Sequence, residues 1–415
     1  MAQEKVIMLF TNSFPYGRGE QFIENEILYL CSYYKKVIIT PYKKEGKRRK
    51  IPKNAIVEDF ELALSGGKFS TISQYFHVFI RVYIYTLIKT QNRSKYFNFF
   101  FSDMKLLFHR IRLFSWVQNY AEKSLKNFDI TFYSYWFNTW ASALAILSSE
   151  DPTKKTISRI HQYDFELETH ERGYFSFREF DIKYIKKIAS ISDYGVKYFL
   201  KTYPKICSDN KIFLSRLGVL ANNNKNGYID SNSIVVASCS SVEPRKRIDL
   251  IIEIFLKSKL KIHWIHFGHG PLYEEIFSKA KKLPKNITFN FKGHLKNTEV
   301  LEYYRCHQID FFINVSSNEG IPVSIMEAIS FGIPVIGCNV GGVSEIVNKE
   351  TGYLISKNIE IKKVVDIFNS YLDFNFKEKE QIRKRIKSYW AANYSAEVNY
   401  KKFIEQLNNL YKCVE

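Results

Sequence analysis

Ser316-Ser317-Asn318-Glu319-Gly320-Ile321-Pro322-Val323-Ser324-Ile325-Met326-Glu327-Ala328 follows directly on an apolar run, Ile309–Val315, that reads as a β-strand. This stretch predicts a strand ending near Val315, a loop carrying Glu319, and a helix starting around Pro322. Proline suits a first helical turn, where its missing N–H is not needed. The unbonded amides at such a helix start attract an anion or sugar hydroxyls. Glu327 falls about one to one and a half turns into the helix. Two carboxylates, one in the loop and one in the helix, can reach opposite ends of an extended ligand. By themselves they also fit an ordinary helix start with favourable acids nearby, so the surrounding sequence has to decide.

That surrounding sequence alternates strands and helices on both sides. In the first half, Val6–Phe10, Lys36–Thr40, Ile130–Tyr135, Thr156–Arg159, Lys187–Ser190 and Lys211–Leu214 read as strands, and the helix through Phe22, Ile23, Ile27 and Leu30 separates the first two. Residues 68–125 differ: Ile72, Tyr75, Phe76, Phe79, Tyr83 and Leu87 recur at helical spacing, predicting amphipathic helices. The polar, turn-rich stretch Asn222–Ser233 reads as a linker. Beyond it Ile234–Ser238, Ile262–Phe267, Ile287–Phe291, Ile309–Val315 and Pro334–Gly337 read as strands with helices between them. This is a pair of serial α/β domains with parallel sheets, and such a pair is expected to hold its site in the cleft between them.

The chain has 415 residues, which suits two or three domains, and a net charge of +19. That charge fits nucleic acid, an anionic membrane or phosphorylated substrates and does not choose among them. No nucleic-acid-binding motif accompanies it. Cysteines 31, 207, 239, 306, 338 and 413 form no CxxC pair, so neither a zinc site nor a disulfide framework is expected. Reduced, scattered thiols suit a cytoplasmic protein. The opening MAQEKVIMLF reads as a first strand, and Tyr75–Ile88 is too short and too charged to span a bilayer. His263, His266 and His269 resemble a ligand triplet in text only, because His263 and His266 point to opposite faces of a strand.

With those elements in place, Glu319 and Glu327 resemble the Glu-x7-Glu signature of glycosyltransferase family 4. Phe331–Ile336 and Gly341–Ile346 continue the likeness. Ser238–Asp249, Phe267–Pro271 and Phe291–His294 resemble the family's donor-domain loops, all in family order. The first half is similar, more loosely, to the colanic-acid and amylovoran type of exopolysaccharide glycosyltransferase. The carriers are Phe14–Glu20, Tyr135-Trp136, Arg159–Asp164 and Leu217-Gly218-Val219.

The resemblance implies the GT-B architecture, two Rossmann-like domains facing a cleft. Residues 1–222 would bind the acceptor, residues 223–392 the donor, and residues 393–415 would cross back to the first domain. It implies a retaining enzyme of hexosyltransferase type, working without metal or cofactor. The implied co-substrate is a UDP- or GDP-sugar, and the implied acceptor a glycan, such as a polyprenyl-diphosphate-linked one, of an exopolysaccharide, capsule or lipopolysaccharide. It assigns Lys246, with Arg245 or Arg247, to the donor diphosphate, together with the backbone of Gly320, Ile321, Pro322 and Val323. Glu319 would hold the donor sugar, Glu327 the ribose, and Gly293 and His294 the base. Gly268 and Gly270 lie in a donor loop, Gly17 and Gly19 approach the phosphates, and His161 sits near the transferred sugar.

One departure stands out: many members carry Arg where this chain has Ser241. Lys43, Lys44, Lys47, Arg48, Arg49 and Lys50, with the aromatic helices that follow, predict peripheral attachment to an anionic membrane surface from the cytoplasmic side. The runner-up reading is a GT-B-fold sugar-nucleotide epimerase or hydrolase. A dinucleotide oxidoreductase ranks lower because Gly17-x-Gly19 lacks the third glycine of GxGxxG.

Overall fold

A computed structural model describes residues 3–60, 74–89, 97–167, 170–222 and 233–409. The proposed linker therefore lies almost wholly outside the described residues, as do residues 68–73 and 90–96 of the helical segment. The chain divides into two compact units, Met1–Arg216 with Tyr400–Glu415, and Leu217–Asn399.

The first unit holds β1 (Lys5–Thr11), α1 (Ile23–Tyr33), β2 (Lys36–Pro41), β3 (Ala55–Val57), α2 (Phe76–Lys89) and α3 (Phe100–Ser124). Next come β4 (Asp129–Ser134), α4 (Thr139–Glu150), β5 (Lys155–Ile160), α5 (Arg178–Tyr184), β6 (Lys187–Ser190), α6 (Asp193–Thr202) and β7 (Ile212–Leu214). The sheet order is β3-β2-β1-β4-β5-β6-β7, and every pairing is parallel. Val6 to Phe10 of β1 are an unbroken apolar run, all buried, as a strand covered on both faces requires. Alternate residues point to opposite faces. Val6, Met8 and Phe10 join the core with α3 and α4, while Ile7 and Leu9 join the other core with α1 and with Phe403, Ile404 and Leu407 near the chain's end.

Helix α2 turns Val78, Val82 and Thr86 inward and leaves Phe76, Ile80 and Ile84 exposed. Among the described residues, no helix is long and apolar enough to cross a membrane.

The second unit holds β8 (Ser233–Cys239), α7 (Ile248–Leu256), β9 (Lys261–Phe267), α8 (Tyr273–Ala280), β10 (Ile287–Phe291), α9 (Asn297–Cys306) and β11 (Phe311–Asn314). It continues with α10 (Val323–Ser330), β12 (Val335–Cys338), α11 (Val343–Ile346), β13 (Gly352–Ile355), α12 (Ile361–Asp373) and α13 (Phe376–Asn393). Its sheet, β10-β9-β8-β11-β12-β13, is also parallel. In each unit the first strand lies inside the sheet and the order reverses beside it. Ligands of doubly wound sheets bind at the carboxyl ends of strands at such a reversal.

The units part ahead of the polar stretch at 222–233 because Leu217–Val219 belongs structurally with the second. Val219 bridges to Ser395, and the Leu217 carbonyl accepts from Asn399 Nδ2 at 2.9 Å. The last helix, α14 (Ala396–Asn409), starts in the second unit and ends in the first. Pro322 is not in the first turn of α10 but is its N-cap, with extended backbone at φ −73° and ψ 118°, and the helix itself runs Val323–Ser330.

Candidate functional site

At the carboxyl edge of the second sheet, β8 runs into a turn of 3-10 helix, Pro244–Lys246, and β11 into the loop carrying Glu319. The backbone joins these loops, because Ser317 N donates to the Arg245 carbonyl at 2.8 Å. Lys246 Nζ then reaches Glu319 Oε1 at 2.5 Å, with side chains only 12% and 9% exposed. Ser316 Oγ donates to the same oxygen at 2.7 Å and Asn314 Nδ2 at 3.4 Å. Glu319 Oε2 is left without a partner among the described residues. A half-buried ion pair with one open oxygen, beside a helix start, is a prepared electrostatic site rather than a surface salt bridge.

The two neighbouring arginines behave differently. Arg247 has left-handed backbone, φ 49°, which turns its side chain back into the unit. Its guanidinium donates to the carbonyls of Val315 (2.6 Å), Lys357 (3.0 Å) and Ser316 (3.3 Å). It is a brace, and its donors are committed. Arg245 remains 41% exposed and pairs with Glu243 Oε1 at 2.7 Å. That same oxygen accepts from Ser241 Oγ at 2.8 Å. Through Glu243, Arg245 therefore stands beside the position where Ser241 departs from the family pattern.

Glu327 is buried one helical turn inside α10, where Asn297 Nδ2 donates to it at 2.7 Å. Burial lifts its pKa to about 7, against a smaller opposing effect of the Asn297 hydrogen bond. Gly268, at φ +145°, could carry no side chain: a Cβ there would lie 1.8 Å from the Ser240 carbonyl oxygen. Its amide donates to Gly293 O at 2.8 Å, tying two loops of the edge together, and His294 beside it is exposed. Gly270 is equally confined, since a Cβ there would lie 2.5 Å from Val242 O. Gly320 O accepts from Gly342 N at 2.9 Å, so the loop before α10 is anchored, with Ile321 buried and Val323 half-buried. His263 and His266 have separate partners, Thr288 Oγ1 and Ser238 Oγ, each at 2.8 Å, as side chains on opposite strand faces must.

In the first unit the carboxyl edge is aromatic. His161 follows β5 and packs at a tilt against Trp136, with ring centroids 4.2 Å apart, inside a wall completed by Phe22 and Tyr135. Burial, and secondarily the Arg159 charge, drive its pKa down to about 3, against a hydrogen bond to the Tyr135 backbone. The imidazole is therefore neutral, and its buried Nε2 has no partner among the described residues. Beneath it, Arg159 and Glu26 form a fully buried pair at 3.0 Å, and Glu26 Oε2 accepts from Tyr135 Oη at 3.1 Å. This network fixes the ring that flanks His161.

Gly17 (φ +66°) and Gly19 lie on a loop held by Arg49, which donates to both carbonyls. Arg49 is thus a loop brace, while Lys43, Lys44, Lys47, Arg48 and Lys50 are exposed. Sequence reasoning misses the residue that organises this loop. The Glu20 carboxylate gathers the amides of Asn12 (3.0 Å), Ser13 (2.7 Å) and Phe14 (2.6 Å), and the Trp136 indole N–H. The signal that could have found it is an acid closing a Gly-x-Gly loop just past a first strand.

The whole described fold matches known structures. A crystal structure of Anabaena HepE in complex with UDP covers 98% of this chain and 100% of its own at TM-score 0.69, with 15% identity. The apo lipopolysaccharide outer core galactosyltransferase WaaB covers 99% and 100% at TM-score 0.65, with 15% identity. The fold is that of the GT-B glycosyltransferases. Within this GT-B chain, residues 221–389 match the family model described as Glycosyl transferases group 1, which falls on the second unit. The O-antigen biosynthesis glycosyltransferase WclY of Escherichia coli is 31% identical over 121 residues, 29% of this chain and 32% of its own length. The chain spans less than half the length of the curated relatives it matches.

Proposed function

We propose that this chain is a retaining glycosyltransferase of family 4 that moves a sugar from a nucleotide-diphosphate sugar to a glycan acceptor in bacterial surface-polysaccharide synthesis. The observation that carries the reading is the Lys246–Glu319 pair at the mouth of α10. Lys246 and the open amides after Gly320 stabilise the leaving diphosphate without a divalent ion. Arg245, not Arg247, supplies the second charge, because Arg247 is committed to carbonyls and Arg245 stands beside Ser241. Glu319 Oε2 accepts from a hydroxyl of the transferred sugar. Glu327, steadied by Asn297, accepts from the ribose, and the Gly293–His294 backbone borders the base. UDP is the first nucleotide to test, since HepE was crystallised with it.

The chemistry breaks the anomeric C–O bond to the diphosphate and forms a bond from the acceptor oxygen on the same face. The acceptor's proton passes to the departing phosphate oxygen. His161, neutral with an open Nε2, exchanges a hydrogen bond with a sugar hydroxyl rather than acting as a cationic acid. Much of the rate comes from alignment.

The same reading places the acceptor on a polyprenyl-diphosphate lipid and the enzyme on the inner face of the cell membrane. Phe76, Ile80 and Ile84 form one exposed apolar face of α2, and five exposed basic side chains lie in the same unit at 43–50. Sedimentation with anionic vesicles, weakened by salt, is expected; equal binding to neutral vesicles contradicts it. Transfer assayed in EDTA should continue; rescue by Mg or Mn after loss contradicts metal independence. Product analysis with and without acceptor separates transfer from the epimerase or hydrolase alternative: free sugar or an epimerised nucleotide sugar as sole product when acceptor is present overturns transfer.

A further inference from the structure

A cavity of about 500 Å³ opens in the first unit, a size ordinary for a small-ligand site. Its wall comes from the loops that follow β4 and β5, the segment leading into α5, and the inner face of α3. Tyr163 and Asp164, two and three residues beyond His161, belong to it, as do Arg110, Arg172, Arg178 and Phe175.

The polar groups of this wall are unequally satisfied. Asp164 Oδ2 already accepts from His161 N at 2.9 Å, and Asp181 Oδ2 from Ser142 Oγ at 2.6 Å. Glu171 is exposed, where solvent and salt screen it. The arginines retain unused donors. Arg178 is 4% exposed and lies over Phe137 and Phe175 at 4.5 and 4.3 Å. One of its nitrogens donates to the Phe137 carbonyl at 3.0 Å, while its buried Nε has no partner among the described residues. Arg110, 8% exposed, donates to Ser176 O at 3.0 Å and lies 3.9 Å from Asp181, and its Nε is likewise without a partner. Arg172 stands at the rim, holding Asp103 at 3.1 Å with its side chain 36% exposed. The two Nε atoms are sealed from the cavity, but among the described residues each guanidinium bonds through only one of its other nitrogens, and the remaining ones, on residues that line the wall, suit a ligand rich in acceptor oxygens. At the mouth Tyr163 is 62% exposed, an aromatic plane open to a sugar ring.

We infer that this cavity is an acceptor subsite for an oxyanion, a phosphate or a carboxylate, attached to a sugar that stacks on Tyr163. The inference rests on the assignment of the acceptor to the first unit. Planar guanidinium forks suit either oxyanion, and the position beside His161 puts that sugar next to the group proposed to meet the transferred residue.

The test is saturation-transfer NMR on the full chain with D-glucose 6-phosphate, methyl β-D-glucuronide and methyl β-D-glucoside. Lys246→Ala is the background, so that the second unit's edge contributes little. At least one anionic sugar should bind about tenfold more tightly than the neutral one, the value of one charge-assisted contact. The tighter of the two names the source as phosphate or carboxylate. Arg172→Gln should remove most of that preference, and Tyr163→Ala should lower saturation of the ring protons while the fold, followed by thermal melting, survives. Tyr163→Ala keeps the test valid should Arg172→Gln destabilise Asp103. Equal binding of the neutral glycoside, no binding of either anion, or signals unmoved by both variants overturns the inference. A failed donor reading would show instead as Lys246→Ala without effect on nucleotide binding.

Discussion

The two carboxyl edges are built on the same parallel-sheet plan and carry opposite chemistry. In the second unit charge meets charge: Lys246 on Glu319, with Arg245 close by on Glu243. In the first unit the imidazole at the end of β5 is neutral and lies among aromatic rings, the nearest charges, Arg159 and Glu26, are sealed at 0% exposure, and arginines reach a cavity only beyond Tyr163. The first arrangement suits the charged leaving group of the proposed reaction, where electrostatic preorganisation is worth most. The second, at His161, suits hydroxyls on the proposed reading. The fold thus supplies two equivalent edges, and the side chains on the loops after the strands give each its own chemistry.

The sharpest way to break this contrast is to remove the charges of the second edge. Lys246→Ala and Glu319→Ala should each lower transfer ~100- to 1000-fold while leaving the fold intact; near-wild-type turnover of a purified variant would end the site assignment. Stability against pH probes the same edge through Glu327. Its folded pKa of about 7 lies above the ordinary 4.5, so the folded chain keeps a proton that the unfolded chain releases. Stability should fall as pH rises from the unfolded toward the folded value, by as much as about 3 kcal/mol. Glu327→Gln should remove that slope in urea melts, and an unchanged slope would argue against the buried carboxyl.

Smaller effects separate the arginines. Arg245→Gln should raise the donor KM about tenfold with little loss of stability, whereas Arg247→Gln should lower the melting temperature by stranding the carbonyls it braces. The reverse pattern would exchange their roles. On the first edge, His161→Phe keeps the ring packing and loses Nε2, for a loss in kcat of about tenfold. Because burial holds His161 near 3, the pH profile of the rate between about pH 5 and 8 should keep its shape in His161→Phe.

Much of the second edge was legible because its chemistry is local in sequence. A strand, a loop acid and a helix start sit within Ile309–Ala328, and β11 and α10 follow that text apart from Pro322, which caps the helix instead of entering it. The Lys246–Glu319 contact joins residues 73 apart; each end was singled out by the resemblance of the loop that follows its strand, whereas the contact between them was not. What stayed hidden depends on backbone hand and on long-range packing. Nothing in Pro244-Arg245-Lys246-Arg247 says that the left-handed turn at Arg247 will send one arginine inward and leave the other out. Glu26 meets Arg159 across 133 residues, and no local period announces a charge in the core. The cavity beside Tyr163 draws its wall from residues 106 to 181, so only the folded chain assembles it.

On the proposed function, the second unit's edge binds a nucleotide-diphosphate sugar through Lys246. Calorimetric titration of UDP, GDP and their sugars into the wild-type chain and Lys246→Ala tests it most directly. One nucleotide diphosphate should bind the wild type, and the variant should bind it at least about tenfold more weakly, as loss of a charge-assisted contact to phosphate requires. Equal affinity of the two proteins, or no nucleotide binding by the wild type, would contradict it.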